Sequence, residues 1–210
     1  MVQDYNSSID FIKSPFLVQD GGEDDTLRLD VIHNASALYQ DADIIIFNSG
    51  HWWTHHKPSN GEGSHVYGGL EATEAYRKAL TTWAQWVDFN INSSRTSVFF
   101  RGYSSSHFRK GKWNTGGHCH GETEPIFDET SVSPSPRMVR IVENVISEMK
   151  TPVIYLNVTR MTDFRKDGHP SIYRPLHGGA KAVEDCSHWC LPGVPDSWNH
   201  LFYVTLLKAS

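Results

Sequence analysis

The chain has 210 residues, of which 39% are hydrophobic and 20% charged, and its formal net charge is −5. This length fits one domain with a sizeable core, and we predict a single domain over residues 1–210. The acidic balance argues against nucleic acid as the main partner, because phosphate binding normally needs an excess of lysine and arginine. The longest apolar runs fall far short of the roughly 20 residues that cross a membrane, so we expect no transmembrane segment here.

The first half of the chain contains an extended segment, a strand and a helix. Residues 4–18 are predicted to be extended, and residues 21–25 form a polar turn. The apolar run at 42–48 (ADIIIFN) is typical of a strand buried on both faces of a parallel sheet. Apolar residues at three- and four-residue steps predict a helix over residues 71–89.

The second half continues the alternation of strands and helices. A second strand is predicted over residues 96–103, and a long loop rich in serine, glycine and histidine follows it. A helix begins near residue 135 or 136, a third strand covers residues 152–159, and Pro195 stands in the first turn of the last helix. This alternation indicates an α/β fold with a mostly parallel sheet flanked by helices.

Functional groups of open α/β sheets gather in the loops beyond the carboxyl ends of the strands. Near the end of the chain, one such loop places Asp185 three residues before His188. A histidine that acts as a general base needs a carboxylate to fix its tautomer and to support the imidazolium. Asp185 and His188 are therefore candidate catalytic residues. A well-packed polar turn is the alternative interpretation of the same pair.

Six stretches carry a resemblance to a known family. The stretches are DYNSSIDFIKSPFLVQ, FNSGHWW, AYRKALTTWAQWV, FFRGYSSSHF, RKDGHPSIY and DCSHWCLPGVPDSWN. In order along nearly all 210 residues, they resemble the plant trichome birefringence-like family of polysaccharide O-acetyltransferases. The resemblance implies an SGNH-hydrolase-like fold, a Golgi membrane protein and a Ser-His-Asp triad that includes Asp185 and His188. It also implies acetyl transfer to cell-wall polysaccharides such as xylan, pectin or another hemicellulose.

The nucleophile of that family lies in a Gly-Asp-Ser motif, which these 210 residues do not contain. We therefore expect the C-terminal part of a catalytic domain, with a sheet that is incomplete at its N-terminus and no catalysis by this chain alone. Ser49 and Ser104 to Ser106 are possible substitutes, but none lies in a Gly-x-Ser-x-Gly elbow. Structural roles are favoured for all of them.

Asn48 ends the predicted strand at residues 42–48, and the resemblance implies that SGNH-like folds place an asparagine that stabilises the oxyanion after this strand. Asn48 is therefore a candidate oxyanion donor. Capping of its own turn is an equally good explanation. Trp52 and Trp53 are candidates for a groove that holds the acceptor sugar, because aromatic faces pack against pyranose rings. Core packing is an equally good explanation for at least one of them.

The three cysteines leave one without a partner in this chain. Cys119 is expected to pair with Cys186 or with Cys190, and a bridge between Cys186 and Cys190 is also possible. The histidines at 51, 55 and 56, like those at 118 and 120, lack a metal-binding pattern, so no metal site is expected. A role in shaping its loop is predicted for His169.

Four Asn-x-Ser/Thr sequons, at Asn6, Asn34, Asn92 and Asn157, are glycosylation candidates. Together with the cysteines they favour a lumenal or extracellular protein, and the resemblance implies the Golgi. No bound cofactor is expected, and the acetyl donor is a co-substrate. Two other functions are open: a carbohydrate-binding module without catalysis, and an SGNH-type acetylesterase.

Overall fold

The structure is a computed structural model that describes residues 6–21, 26–54, 59–132, 135–173 and 184–209. The chain divides into two compact units, Met1–Phe99 with Ile141–Val153, and Phe100–Arg140 with Ile154–Ser210. The prediction of a single domain stays a prediction. The strands are β1 Val18–Asp20, β2 Thr26–Ile32, β3 Ile44–Asn48, β4 Ser59–Glu62, β5 His65–Tyr67, β6 Ser97–Arg101 and β7 Val153–Leu156, and the α-helices are α1 Ala72–Asn90, α2 Arg137–Ser147, α3 Thr159–Asp163 and α4 Val194–Ala209.

The predicted α/β class is confirmed by a sheet with the strand order β3-β6-β7. Each connection between its successive strands contains a helix, as parallel pairing requires. The strands are shorter than the predicted spans 42–48, 96–103 and 152–159. The expectation that the first strand is buried on both faces is wrong for the part of the chain that the structure describes. Ile45 and Phe47 are buried, whereas Ile44 and Ile46 are 40% and 49% exposed, so this strand alternates between a packed face and an open one.

A second sheet, with the strand order β1-β2-β4-β5, was not predicted from the sequence. β2 is antiparallel to β1 and parallel to β4, and β4 and β5 form an antiparallel pair. Leu27 and Leu29 of β2 are completely buried, and polar residues alternate with them. That period of two is the signal that would have predicted β2.

Helix α1 begins and packs as its sequence dictates. The Glu71 carboxylate accepts hydrogen bonds from the backbone N–H groups of Thr73 and Glu74, at 3.0 and 3.2 Å, and so caps the first turn. Trp83, on the apolar face, is completely buried and meets Phe47 edge to face at a centroid distance of 5.3 Å. The buried residues of the helix are Ala75, Tyr76, Ala79, Leu80, Trp83, Ala84 and Val87.

The remaining predicted helices are also present. Helix α2 covers Arg137–Ser147, close to the predicted start. Helix α4 covers Val194–Ala209, with Pro195 in its first turn, where the missing N–H of proline costs nothing. Within the described ranges, no helix has the length and apolar character needed to cross a membrane.

We predict that Trp83→Ala lowers the free energy of unfolding by about 3–5 kcal/mol, because it leaves a large cavity in the packed face of α1. Urea unfolding followed by circular dichroism measures this change. Phe89→Ala is the matched control, since Phe89 lies on the same helix and is 87% exposed. Its effect should stay within about 0.5 kcal/mol, and an equal loss in both variants would contradict the assigned core.

Candidate active site

Asp185 and His188 lie against each other in the loop before α4. The Asp185 carboxylate oxygens are 2.9 and 3.1 Å from His188 Nδ1. The Asp185 side chain is 11% exposed, whereas that of His188 is 81% exposed. A carboxylate that accepts from Nδ1 leaves Nε2 as the nitrogen that exchanges a proton. The pair therefore has the geometry of a general base whose imidazole faces solvent.

The protein environment keeps Asp185 ionised. Burial by itself raises the pKa of this carboxyl, but the hydrogen bonds from the His188 ring and from the His188 and Ser187 backbone N–H groups outweigh it. The net result is a pKa far below the ordinary value. The backbone bonds, at 3.0 Å from His188 and 3.3 Å from Ser187, also close the turn. One carboxylate thus shapes the loop and orients the imidazole.

The backbone of Asp185 is fixed by Ser171. Each residue donates its N–H to the carbonyl of the other, at 2.9 and 3.1 Å. Ser171 has a φ of +51°, a left-handed conformation that a residue with a side chain adopts at some cost. The Ser171 hydroxyl also donates to the Glu184 carboxylate at 3.1 Å.

Glu184 connects this loop to the loop around Cys119. Its carboxylate accepts the backbone N–H groups of Cys119 and His120 at 2.7 and 2.6 Å. Burial raises the pKa of Glu184, yet these bonds and the Ser171 hydroxyl lower it overall. No pattern in the sequence singled out Glu184, because the backbone groups that it binds, those of Cys119 and His120, lie more than 60 residues away.

A disulfide joins the same two loops. Cys119 and Cys186 are bonded across 67 residues, and Cys190 has an exposed free thiol. Cys119, Glu184 and Cys186 form a cluster of potential metal-ligating atoms. The two sulfurs are consumed by the disulfide, so they are not thiolate ligands and the cluster is not a metal site.

Trp189 follows His188 in the same loop and contacts two other segments of the chain. Its indole N–H donates to the Ser104 hydroxyl at 3.2 Å, and its ring lies 4.2 Å from that of His169. Gly168 makes this packing possible, since a Cβ there would lie 2.8 Å from Val194 and 3.1 Å from the indole. The glycine of the KDGHPS stretch is therefore required by close packing.

Two further histidines form a line of hydrogen bonds that begins at the His188 backbone. His169, which is buried, places Nδ1 at 2.6 Å from the carbonyl oxygen of His188 and Nε2 at 2.7 Å from His107 Nδ1. His107 Nε2 in turn lies 3.0 Å from the carbonyl oxygen of Asp163. His107 was not predicted as a site residue. The only sequence signal for it is its place in the FFRGYSSSHF stretch.

Asn48, Trp52 and Trp53 belong to the other compact unit. Asn48 ends β3 with an exposed side chain. Trp52 is 57% exposed and remains a candidate for contact with a sugar. Trp53 is buried and donates its indole N–H to the Ser49 hydroxyl at 3.0 Å. Trp53 is therefore a packed residue, and its predicted role in a groove finds no open surface in the described structure.

The candidate serines have structural contacts. Ser49 is buried and donates to the Pro15 carbonyl at 3.0 Å. Ser104 accepts the Trp189 indole, and buried Ser105 donates to the Thr159 carbonyl at 3.2 Å. Ser106 is exposed, with its hydroxyl 3.5 Å from that of Tyr103. These contacts support the structural roles that the sequence favoured.

The other sequence candidates lie at the surface or outside the described residues. The sequon asparagines Asn6, Asn34, Asn92 and Asn157 are all exposed. His120 is exposed, and His51 and His118 are half-buried. His55 and His56 lie outside the described residues.

Comparison with known proteins identifies the class. Residues 1–205 match PC-Esterase, the GDSL/SGNH-like acyl-esterase family found in Pmr5 and Cas1p. The chain therefore belongs to this family, and its α/β fold is SGNH-like.

The chain is also similar to curated trichome birefringence-like proteins. The chain is 58% identical to Protein trichome birefringence-like 4 of Arabidopsis thaliana over 97% of this chain and 49% of the relative. It is 52% identical to Protein trichome birefringence of the same plant over 98% of this chain and 37% of the relative. For Protein trichome birefringence-like 1 the identity is 53%, over 98% of this chain and 40% of the relative. The chain thus spans half or less of the length of these relatives.

We predict that Cys119→Ser with Cys186→Ser lowers the free energy of unfolding by about 2–5 kcal/mol, because the bridge closes a long loop. Urea unfolding measures the change, and Cys190→Ser is the matched control with no expected effect. Thiol titration should find one reactive cysteine in the native chain and three after reduction and unfolding. Two or more reactive thiols in the native chain would contradict the assigned bridge.

Proposed function

We propose that this chain supplies the acid–base half of a polysaccharide O-acetyltransferase. The observation that carries the proposal is the largely buried Asp185 carboxylate that accepts a hydrogen bond from Nδ1 of the exposed His188. An imidazole held this way takes a proton from a hydroxyl nucleophile and later returns it to a leaving group. The family membership of the chain supports acyl-ester chemistry as the use of that imidazole.

The proposed reaction has two steps. His188 Nε2 removes the proton of a serine hydroxyl, whose oxygen attacks the acetyl carbonyl of the donor. The deacetylated donor leaves with the proton from His188, and an acetyl-serine remains. His188 then removes the proton of a polysaccharide hydroxyl, whose oxygen takes the acetyl group and frees the serine, which regains the proton.

The serine in this scheme is that of the Gly-Asp-Ser motif of the family. The 210 residues do not contain that motif, and we propose that they do not transfer acetyl groups by themselves. The chemistry needs no bound cofactor, because the imidazole carries every proton, the serine carries the acetyl group and the carboxylate supports the imidazolium. The acetyl donor is a co-substrate, and the acceptor is a cell-wall polysaccharide such as xylan or pectin. The exposed Trp52 offers an aromatic face to a sugar, and Asn48 remains the candidate oxyanion donor.

The family description favours a second function, hydrolysis of acetyl esters. The two functions share the acetyl-serine and differ only in what removes the acetyl group, a sugar hydroxyl or water. Transfer therefore requires that the acceptor displaces water from the site.

A chimera between this chain and a longer relative tests the proposal. In Protein trichome birefringence-like 4, this chain replaces the region to which it is 58% identical over 223 residues. We expect the chimera to acetylate xylan or pectin oligomers from acetyl-CoA or 4-nitrophenyl acetate, with mass spectrometry as the readout. Asp185→Asn should reduce kcat by roughly 10⁴-fold, as loss of the orienting carboxylate does in serine hydrolases. His188→Ala should reduce it at least as much.

The controls separate the alternatives. His200→Ala, at an exposed histidine of α4, should leave activity unchanged. Release of acetate from acetylated oligomers without transfer would replace the transferase with an esterase. Oligomer binding without turnover would favour a carbohydrate-binding module. Acetyl transfer by the isolated 210 residues would contradict the requirement for the Gly-Asp-Ser serine.

We also propose a Golgi location with N-linked glycans. Support comes from the four sequons, whose asparagines are exposed, and from a disulfide that needs an oxidising compartment. Glycan attachment requires that the side-chain amide reaches solvent, which these exposed positions allow.

Expression of the chain behind a secretion signal in plant cells tests the glycosylation. We expect a drop in mass after treatment with a peptide-N-glycosidase, with one step lost for each asparagine changed to glutamine. Ser8, Ser36, Ser94 and Thr159 changed to alanine should reproduce the same losses, because they remove the sequon but keep the asparagine. An unchanged mass after the glycosidase would refute the proposal.

A further inference from the structure

His107 and His169 are 62 residues apart in the chain, and their rings lie within hydrogen-bond distance of each other. His169 also contacts the backbone of His188 in the candidate active site. Three contacts follow each other in a line. The carbonyl oxygen of His188 faces His169 Nδ1 at 2.6 Å, His169 Nε2 faces His107 Nδ1 at 2.7 Å, and His107 Nε2 faces the carbonyl oxygen of Asp163 at 3.0 Å. All three distances are those of hydrogen bonds.

The ends of this line fix the number of protons in it. A carbonyl oxygen only accepts, so His169 Nδ1 and His107 Nε2 must both carry a proton. The contact between the two rings needs one more proton, on either nitrogen. The line thus holds three N–H protons, whereas two neutral imidazoles carry two. The pair therefore has one positive charge.

The surroundings suit a cation centred on His107. Burial is the main factor that lowers the pKa of His169, to about 4, so His169 is poorly suited to carry the charge of the pair. The Asp163 carboxylate lies 3.8 Å from His107 Nε2. Glu122 and Asp167 also interact favourably with His107, and Asp185 with His169. These acids offset the cost of a partly buried imidazolium.

We propose that His107 and His169 form a singly protonated pair that positions His188, through the bond from His169 Nδ1–H to the His188 carbonyl. This inference rests on the proposed function for its effect on catalysis, but the proton count does not depend on it. Both residues are positioning residues, since neither touches the reacting atoms. His169 holds the backbone from which the His188 ring projects, and His107 holds His169 in the tautomer that donates.

Two substitutions at His169 separate the two ends of the bond line. In His169→Asn, the side-chain amide replaces Nδ1–H and still donates to the His188 carbonyl. In His169→Gln, the amide replaces Nε2, so it keeps a partner for His107 and loses the carbonyl. A role in stability alone makes the two variants equivalent, whereas a positioning role makes His169→Asn the milder change.

Nuclear magnetic resonance of the 210-residue chain labelled with ¹⁵N-histidine provides the direct test. Near pH 6, we expect three N–H protons on His107 and His169 together, and a signal for the Nδ1–H proton of His188. That last signal should persist in His169→Asn and broaden or vanish in His169→Gln. Only two N–H protons on the pair, or a His188 signal that is the same in both variants, would overturn the inference.

The chimera described above adds a kinetic readout. His169→Gln should lower kcat by about 100-fold with KM nearly constant, since a misplaced base slows chemistry more than binding. His169→Asn should lower kcat only a few-fold, at a similar melting temperature. Equal losses in the two variants would overturn the positioning role. If the unaltered chimera is inactive, the proposed function fails, and the proton count still decides this inference. The proton count is measured on the unaltered chain, so it tests the inference even when a variant does not fold.

Discussion

The candidate active site depends on one constraint, the ionised carboxylate of Asp185 in a mostly buried position. An isolated carboxylate in such a place would take up a proton, since burial disfavours the charged form. Here three N–H donors, from the His188 ring and from the backbone of Ser187 and His188, reverse that tendency. The same donors set the shape of the turn. The charge state, the loop conformation and the orientation of the imidazole are therefore one property of the structure, and none of them changes alone.

A loop outside helices and strands holds its shape only if other parts of the chain restrain it. Residues 184–190 are restrained on several sides by groups from two distant stretches. The disulfide to Cys119 and the Glu184 bonds connect them to the long loop after β6, and Ser171 and His169 connect them to the segment after α3. The disulfide and the bonds from Ser171 and His169 reach a cysteine or a backbone group of the loop, and the Glu184 bonds reach it through a side-chain carboxylate. The restraints thus fix the main chain and leave the His188 ring exposed.

The sequence predicted the parts of this molecule whose information is local. Helix α1 follows from apolar residues at helical steps, and the Asp185–His188 contact follows from a spacing of three residues within one turn. The polar strands β4 and β5 lack such a signal, whereas β2 has one in its alternation of apolar and polar residues. The open face of β3 was predicted wrongly, because a run of isoleucines does not state what covers it. His107, Glu184 and Asp163 act through partners far along the chain, and only the tertiary structure brings those partners together.

Burial distinguishes two neighbouring histidines for which we propose different roles. His169 and His188 lie next to each other in space and both interact with Asp185. His169 is buried, so its pKa falls to about 4 and its ring stays neutral near pH 7, where a neutral ring with a fixed tautomer is a dependable hydrogen-bond donor. His188 is exposed, so solvent and the ionised carboxylate support its charged form when it takes up a proton. A general base has to gain and lose a proton in each cycle, and a positioning residue has to keep its proton throughout. The difference in burial is consistent with the first role, proposed for His188, and with the second, proposed for His169.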